Sequence, residues 1–241
     1  MTNAPESRVS AARAKFDRTP DHPGVLRYEW DEATARRITT EHSQEWNDWT
    51  GVQWDFLRVM EVADVMIPRM QARKIPDISD SDYDRVIDDS LIAAGLIAYA
   101  RPFSRGVRVN IKLDLTVLAT MGDSPAIHQH LLDLRNKYIA HSANDFEQNI
   151  TLAVLAKPPL DPSLLRTTHI HYGVSPVNLD GFRMMRSIAK VLYDQTVDNV
   201  ARLAPIVEAE GAALDLDELY RLPELTIPLP SVKGASKQRK P

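Results

Sequence analysis

Residues 178–211, NLDGFRMMRSIAKVLYDQTVDNVARLAPIVEAEG, carry the clearest periodic pattern in the chain. Their apolar side chains recur at spacings of three and four, which places them on one face of a helix. The stretch therefore predicts a long amphipathic helix that buries this face, with Pro205 interrupting it late. The positions that share the spacing are Phe182, Met185, Ile188, Ala189, Leu192, Val197, Val200, Leu203 and Ile206.

The same spacing recurs elsewhere and predicts a mainly α-helical protein. The first predicted helix runs from about Asp31 to about Lys74, with a kink at Pro68. A second should occupy about 82–100. A third should begin at Asp123 and Ser124, which can cap it, and end near residue 141. A short helix near 214–221 should follow the long one.

Two short runs are typical of β-strands instead. ITLAVLA at 150–156 and THIHYGV at 168–174 are rich in β-branched residues, and the segment between them contains three prolines. They predict a small β-hairpin with a long loop, inserted before the long helix.

The two ends of the chain lack a sustained period. Residues 1–28 mix proline with charge and predict a flexible arm, with one short helix near Ala11–Phe16. Residues 223–241 form a Pro/Lys-rich tail that we expect to be disordered. One helical domain at 29–222 should lie between them, with the hairpin at about 150–174.

Composition excludes several classes of function. The 241 residues carry a formal net charge of -4, so a nucleic-acid contact would need a local basic patch. The chain has no cysteine, which excludes disulfides, thiolate metal sites and cysteine nucleophiles. No signal peptide or apolar span is recognisable, so we expect a cytoplasmic protein without a membrane partner.

Motifs that bind metals or cofactors are also missing, and we predict neither a metal nor a cofactor. HExxH, P-loop, GxSxG and GxGxxG patterns do not occur. His169 and His171 would face the same way on a strand, but no third ligand is visible near them. His128 and His130 should point in different directions on a helix.

A second stretch, LLDLRNKYIAHS at 131–142, places polar groups where a helix should bury an apolar face. On an ideal helix Arg135 and His141 lie about 120° apart around the axis and about 9 Å apart along it. One regular helix cannot bring both to one small group. Either the helix unwinds at Ala140, or two copies pack their motif helices about a two-fold axis.

The segment Arg135–His141 resembles the signature of HEPN-domain proteins, in which an arginine, a polar residue and a histidine follow one another at this spacing. Here five residues separate the arginine from the histidine, and Asn136 comes directly after the arginine. The resemblance implies a HEPN-like helical bundle and a homodimer with the motif at its interface. Many such proteins are metal-independent endoribonucleases of toxin–antitoxin and abortive-infection systems, so RNA and an antitoxin protein are the implied partners.

The resemblance also implies a role for each motif residue. His141 would act as general base or acid, a role suited to a pKa near neutrality. Arg135 would hold the scissile phosphate and stabilise its developing charge. Asn136 would orient the histidine or bind the phosphate. The product would carry a 2′,3′-cyclic phosphate.

Other residues could contact RNA near the motif. Arg101 and Arg105, followed by Arg108 and Lys112, cluster at the end of the second helix and could bind the backbone. Unstacked bases could pack on aromatic side chains, for which Tyr99, Phe103 and Tyr138 are candidates.

Two other interpretations of the motif stay open. Arg135 could pair with a nearby acid such as Asp133 or Glu147 while His141 closes the helix, where a cation is favoured. Alternatively, the same fold could serve as a non-catalytic dimeric binding or regulatory module.

Overall fold

The computed structural model describes residues 13–17, 25–29, 33–72, 82–104, 111–139, 147–157, 163–173 and 177–228. Within them, the side chains at 13–17, 25–29, 82–83, 138, 147–149, 170–173 and 226–228 lie outside the description. The chain divides into two compact units: Asp48–Val200, called the central unit because it is the middle of the sequence, and a second unit made of Met1–Asn47 with Ala201–Pro241.

Four helices contribute to the central unit, and their positions follow the predicted pattern. They are α1 at Ser43–Ala72, α2 at Asp82–Ala100, α3 at Ser124–Leu134 and α4 at Leu179–Ala212. The mainly helical fold is therefore confirmed. Both α1 and α4 extend into the other unit, and both continue through their proline, Pro68 and Pro205. The predicted start of α1 near Asp31 is wrong, because residues 37–40 are not helical.

The apolar faces of these helices form one core in the central unit. Its fully buried members include Val52 and Phe56 from α1, Leu96 from α2, and Phe182 and Leu192 from α4. Gly95 lets α2 approach its neighbours closely, since a Cβ there would lie 3.1 Å from Val62 Cγ1. Most of the α4 side chains predicted from the three-and-four spacing are buried, whereas Val197 and Ile206 are 37% and 36% exposed, which corrects their assignment to the buried face.

The α3 helix begins and ends irregularly. Asp123 occupies the cap position, but its side chain makes no capping hydrogen bond, which corrects our prediction. Ser124 instead donates from Oγ to the carbonyl oxygen of Met121 at 2.8 Å. At its other end α3 continues as one π-helical turn, Arg135–Ile139, which packs against α2. Such turns are rare and often lie at functional sites.

The predicted hairpin is present before the long helix. Strands β3, Glu147–Leu155, and β4, Leu164–Gly173, pair antiparallel, with Ile150 opposite Ile170. The register shifts between Val154 and Leu155, which marks a β-bulge.

The second unit joins segments from both ends of the chain. Strands β1 at Arg13–Asp17, β2 at Val25–Glu29 and β5 at Thr226–Pro228 form an antiparallel sheet in the order β1-β2-β5. A short helix, α5 at Leu216–Arg221, precedes β5. Close to it, the backbone N–H of Leu225 donates to Ala35 O at 3.0 Å.

These strands differ from two predictions made for the chain ends. The short helix expected near Ala11–Phe16 is strand β1, and β5 lies inside the range predicted as a disordered tail. The pairing of β2 with β5 joins residues about two hundred positions apart, so a local pattern cannot reveal it. The predicted domain boundaries otherwise stay a prediction. None of the helices in the described ranges has the length and apolar character needed to cross a bilayer.

Candidate functional site

Arg135 lies where α3 passes into the π-helical turn. Its side chain is partly exposed, and Nη1 donates a hydrogen bond to Oδ1 of Asn136 at 2.9 Å. Asn136 itself is exposed. The two motif residues thus share one polar group at the surface, and the guanidinium keeps further N–H donors for another acceptor.

The acid nearest in sequence does not neutralise this arginine. Asp133 lies 3.8 Å from Nζ of Lys137 and accepts a hydrogen bond from Gln129 at 3.2 Å. Among the side chains that the structure describes, Asn136 is the hydrogen-bond partner of Arg135. The interpretation in which Arg135 pairs with Asp133 is therefore wrong, and Glu147 has no described side chain with which to test the other pairing.

Several predicted site residues lie beyond the described part of the chain. His141 and Arg105 are outside the described residues, and so is the side chain of Tyr138. Their roles stay predictions.

Arg101 forms an ion pair with a buried carboxylate. It begins a short 3₁₀ turn, Arg101–Phe103, directly after α2, and its Nη1 lies 3.1 Å from Oδ1 of Asp55. The Asp55 side chain is 6% exposed, whereas that of Arg101 is 59% exposed. A buried carboxylate needs such a partner, so Arg101 has a structural role that any contact with RNA would have to share.

The aromatic residues near this turn form a polar-aromatic cluster in the core. The hydroxyl of Tyr99, fully buried, lies 2.7 Å from Nδ1 of His128 on α3. Phe103 packs on both rings, edge-on to His128 with centroids 4.7 Å apart. Because Tyr99 has no exposed surface, it cannot stack on an RNA base, which corrects that prediction.

Burial decides the protonation of this pair. It lowers the pKa of His128 below its ordinary value and raises the pKa of Tyr99. At neutral pH a neutral imidazole therefore meets a neutral phenol. His130, two residues on, is exposed, which confirms that the two histidines point in different directions.

A second histidine is paired in the unit formed by the chain ends. Nδ1 of His42 lies 2.5 Å from Oε1 of Glu210, and the backbone N–H of His42 donates to Oε2 at 3.2 Å. The hydrogen bond with Glu210 raises the pKa of His42, while the neighbouring Thr40 and His42 lower the pKa of Glu210.

This pair also belongs to a set of possible metal ligands. One ligand atom each from Glu41, His42 and Glu210 lies within 4.8 Å of the others. The direct contact between His42 and Glu210 is that of an ion pair, which contributes to both pKa shifts.

Compared with protein-family models, curated proteins and solved structures, the chain has no match.

Sequence reasoning missed both histidine pairs. His128 stands on an amphipathic helix at a position of the buried face, which was a usable signal for a core residue. The partners of His42 gave no such signal, because 168 positions separate it from Glu210.

Proposed function

We propose that the chain is a metal-independent endoribonuclease of a defence or toxin–antitoxin type, acting as a dimer with a composite site of Arg135, Asn136 and His141. The observation that carries the proposal is the Arg135–Asn136 pair on the π-helical turn. In the HEPN signature a polar residue follows the arginine late in an apolar helix; the partly exposed Arg135 and its hydrogen bond to Asn136 support the proposal.

Arg135 would bind the scissile phosphate. Its guanidinium can donate two parallel hydrogen bonds to phosphate oxygens and stabilise the charge that builds on them. The hydrogen bond to Asn136 engages Nη1 and so restricts the orientation of the guanidinium plane. Asn136 is thereby a positioning residue in this proposal, although its amide N–H₂ could also reach the phosphate.

His141 would move the protons. As general base it takes the proton of the ribose 2′-hydroxyl, whose oxygen then attacks the adjacent phosphorus. The bond from phosphorus to the 5′-oxygen breaks, and that oxygen takes up a proton from an imidazolium. A 2′,3′-cyclic phosphate and a free 5′-hydroxyl result. Two copies could supply separate histidines for the base and the acid.

The test is cleavage of an RNA panel in EDTA by the purified protein, followed by analysis of the product ends. We expect His141→Ala to lower the rate by about 10²–10⁴-fold as loss of a general base does. Arg135→Ala should lower it by about 10²–10³-fold, as loss of a transition-state donor does. Asn136→Ala should have a smaller effect, expressed in kcat more than in KM.

Lys137→Ala is the matched control, because it removes one positive charge from the same exposed turn. Its rate should stay within a few-fold of wild type, while circular dichroism shows all variants folded. Wild-type cleavage to other ends, or cleavage equal in all variants, would refute the composite site. RNA binding without cleavage would instead favour the non-catalytic module.

A further inference from the structure

The β-hairpin is exposed on both of its faces. None of the described hairpin side chains, at 150–157 and 163–169, is buried. Leu155, Leu164 and Leu165 are 62%, 59% and 59% exposed. A two-stranded hairpin is marginally stable alone and becomes stable when further strands or a helix join it. Because the described chain supplies no such cover, the hairpin has the properties of an incomplete sheet.

One edge of this hairpin lacks the features that usually prevent association. The outer edges of β3 and β4 are unpaired among the described residues. Proteins protect such edges with charge or proline. The charged residue of β3 is Glu147 at its first position, and residues 150–155, ITLAVL, contain neither charge nor proline. They also combine β-branched and apolar residues, which favour strand pairing. The β4 strand differs, because it carries Arg166 and His169.

The apolar side chains of β3 share a face. Ile150, Leu152 and Val154 alternate along the strand and so point to one side of the sheet. Ile150 and Leu152 are 38% and 36% exposed. Extending the sheet would extend this apolar face as well.

We propose that β3 pairs edge to edge with β3 of a second copy of this chain. The two strands run antiparallel about a two-fold axis and give one continuous four-stranded sheet. An antiparallel edge is complementary to itself under this symmetry, so a second copy offers matching donors and acceptors along the whole strand. No equivalent argument favours β4, since its pairing would bring Arg166 and its copy to the same edge.

The surface area buried by pairing of two β3 edges can be estimated from the dimensions of the strand. A strand of nine residues is about 30 Å long and a sheet about 10 Å thick, so edge pairing covers about 300 Å² on each copy. The total of about 600 Å² is below the ~1,000 Å² of a specific interface. Edge pairing alone therefore predicts a weak, concentration-dependent dimer.

The absence of cysteine from the natural chain allows a direct test. Single variants Thr151→Cys, Leu152→Cys and Ala153→Cys place one thiol near the centre of the proposed pairing. Residues at the axis meet their own copies at a Cα separation of about 4.5–5.5 Å, which a disulfide can bridge. Thr167→Cys is the matched control, because Thr167 is also exposed but lies on β4.

Mild oxidation of dilute protein should convert at least one β3 variant to a covalent dimer and leave Thr167→Cys monomeric. Cross-linking by no β3 variant, or equal cross-linking by the β4 variant, would overturn the proposal. Since the readout is the mass of the species and no RNA is added, failure of the proposed ribonuclease activity would not affect it.

Sedimentation velocity gives an independent, reversible measurement. Leu152→Lys removes an apolar side chain from the shared face and places like charges on both copies. We expect its dimer dissociation constant to rise at least about tenfold. Thr167→Lys adds the same charge to β4 and should change the constant less than about twofold. A monomeric wild type, or equal effects of the two lysines, would contradict the inference.

Discussion

Replacing Tyr99 by phenylalanine removes one hydroxyl and leaves every carbon atom in place. In the native protein that hydroxyl lies 2.7 Å from Nδ1 of the buried His128. After the change the nitrogen is buried without this partner, and Tyr99 has no exposed surface through which water could replace the hydroxyl. The cost of such an unsatisfied group is about 1–3 kcal/mol in the free energy of unfolding.

Urea denaturation followed by circular dichroism at pH 7.5 measures this cost. For a chain of this size a loss of 1 kcal/mol corresponds to a fall of about 2–4 °C in Tm. Tyr193→Phe is the matched control, because Tyr193 also packs at the core and its hydroxyl has no hydrogen-bond partner among the described residues. Its effect should stay within about 0.5 kcal/mol.

A double-mutant cycle makes this prediction sharper. Adding His128→Leu to Tyr99→Phe removes both polar partners, and replacing both is less costly than leaving one alone. The double variant should therefore be more stable than the sum of the two single losses predicts, by about 1 kcal/mol or more. An unchanged stability of Tyr99→Phe, a loss as large in Tyr193→Phe, or strict additivity would refute the reasoning.

Three further predictions concern stability. The pair of His42 and Glu210 makes stability depend on pH: the raised pKa of His42 contributes stabilisation that is complete below its unfolded value of about 6.5 and is lost as pH rises through the folded pKa. The lowered pKa of Glu210 contributes stabilisation that is present above about 4.5 and is lost as pH falls through its folded pKa. Urea midpoints of wild type and His42→Gln should differ most between about pH 5 and 6 and converge at alkaline pH; a difference that grows with pH would contradict this. Arg69→Met removes Nε, which lies 2.9 Å from Oδ1 of the buried Asp88. The variant should lose about 1–3 kcal/mol of the free energy of unfolding, measured by urea denaturation. An unchanged midpoint would show that Asp88 keeps its hydrogen bonds without Arg69. Gly95→Leu should lower the free energy of unfolding by about 1–3 kcal/mol, because a Cβ at this position would lie 3.1 Å from Val62 Cγ1. A Tm equal to that of wild type would contradict this prediction and would mean that the helices can move apart.

Sequence reasoning located part of the candidate site. Arg135 and Asn136 are neighbours in the chain, and the apolar period with the turn residues after it predicted that both lie late in the third helix, with its end near residue 141. The α-helical part ends earlier, at Leu134. The π-helical turn did not follow, because the extra residue in that turn leaves no local signature in the sequence. Nor did the ion pair of Arg101 with Asp55, since those residues stand on different elements.

The sequence by itself determined that α1 to α4 and the hairpin exist, although it gave the wrong start for α1. A period of 3.6 or 2 residues is a local property, and it locates α2 at Asp82–Ala100 as well as the antiparallel pair before the long helix. Only the tertiary structure decided which distant groups meet. The hydroxyl of Tyr99 contacts His128, and β2 pairs with β5, because the chain folds back on itself. The physical reason is that periodicity states which side of an element is apolar, whereas the identity of its neighbours depends on the path of the whole chain.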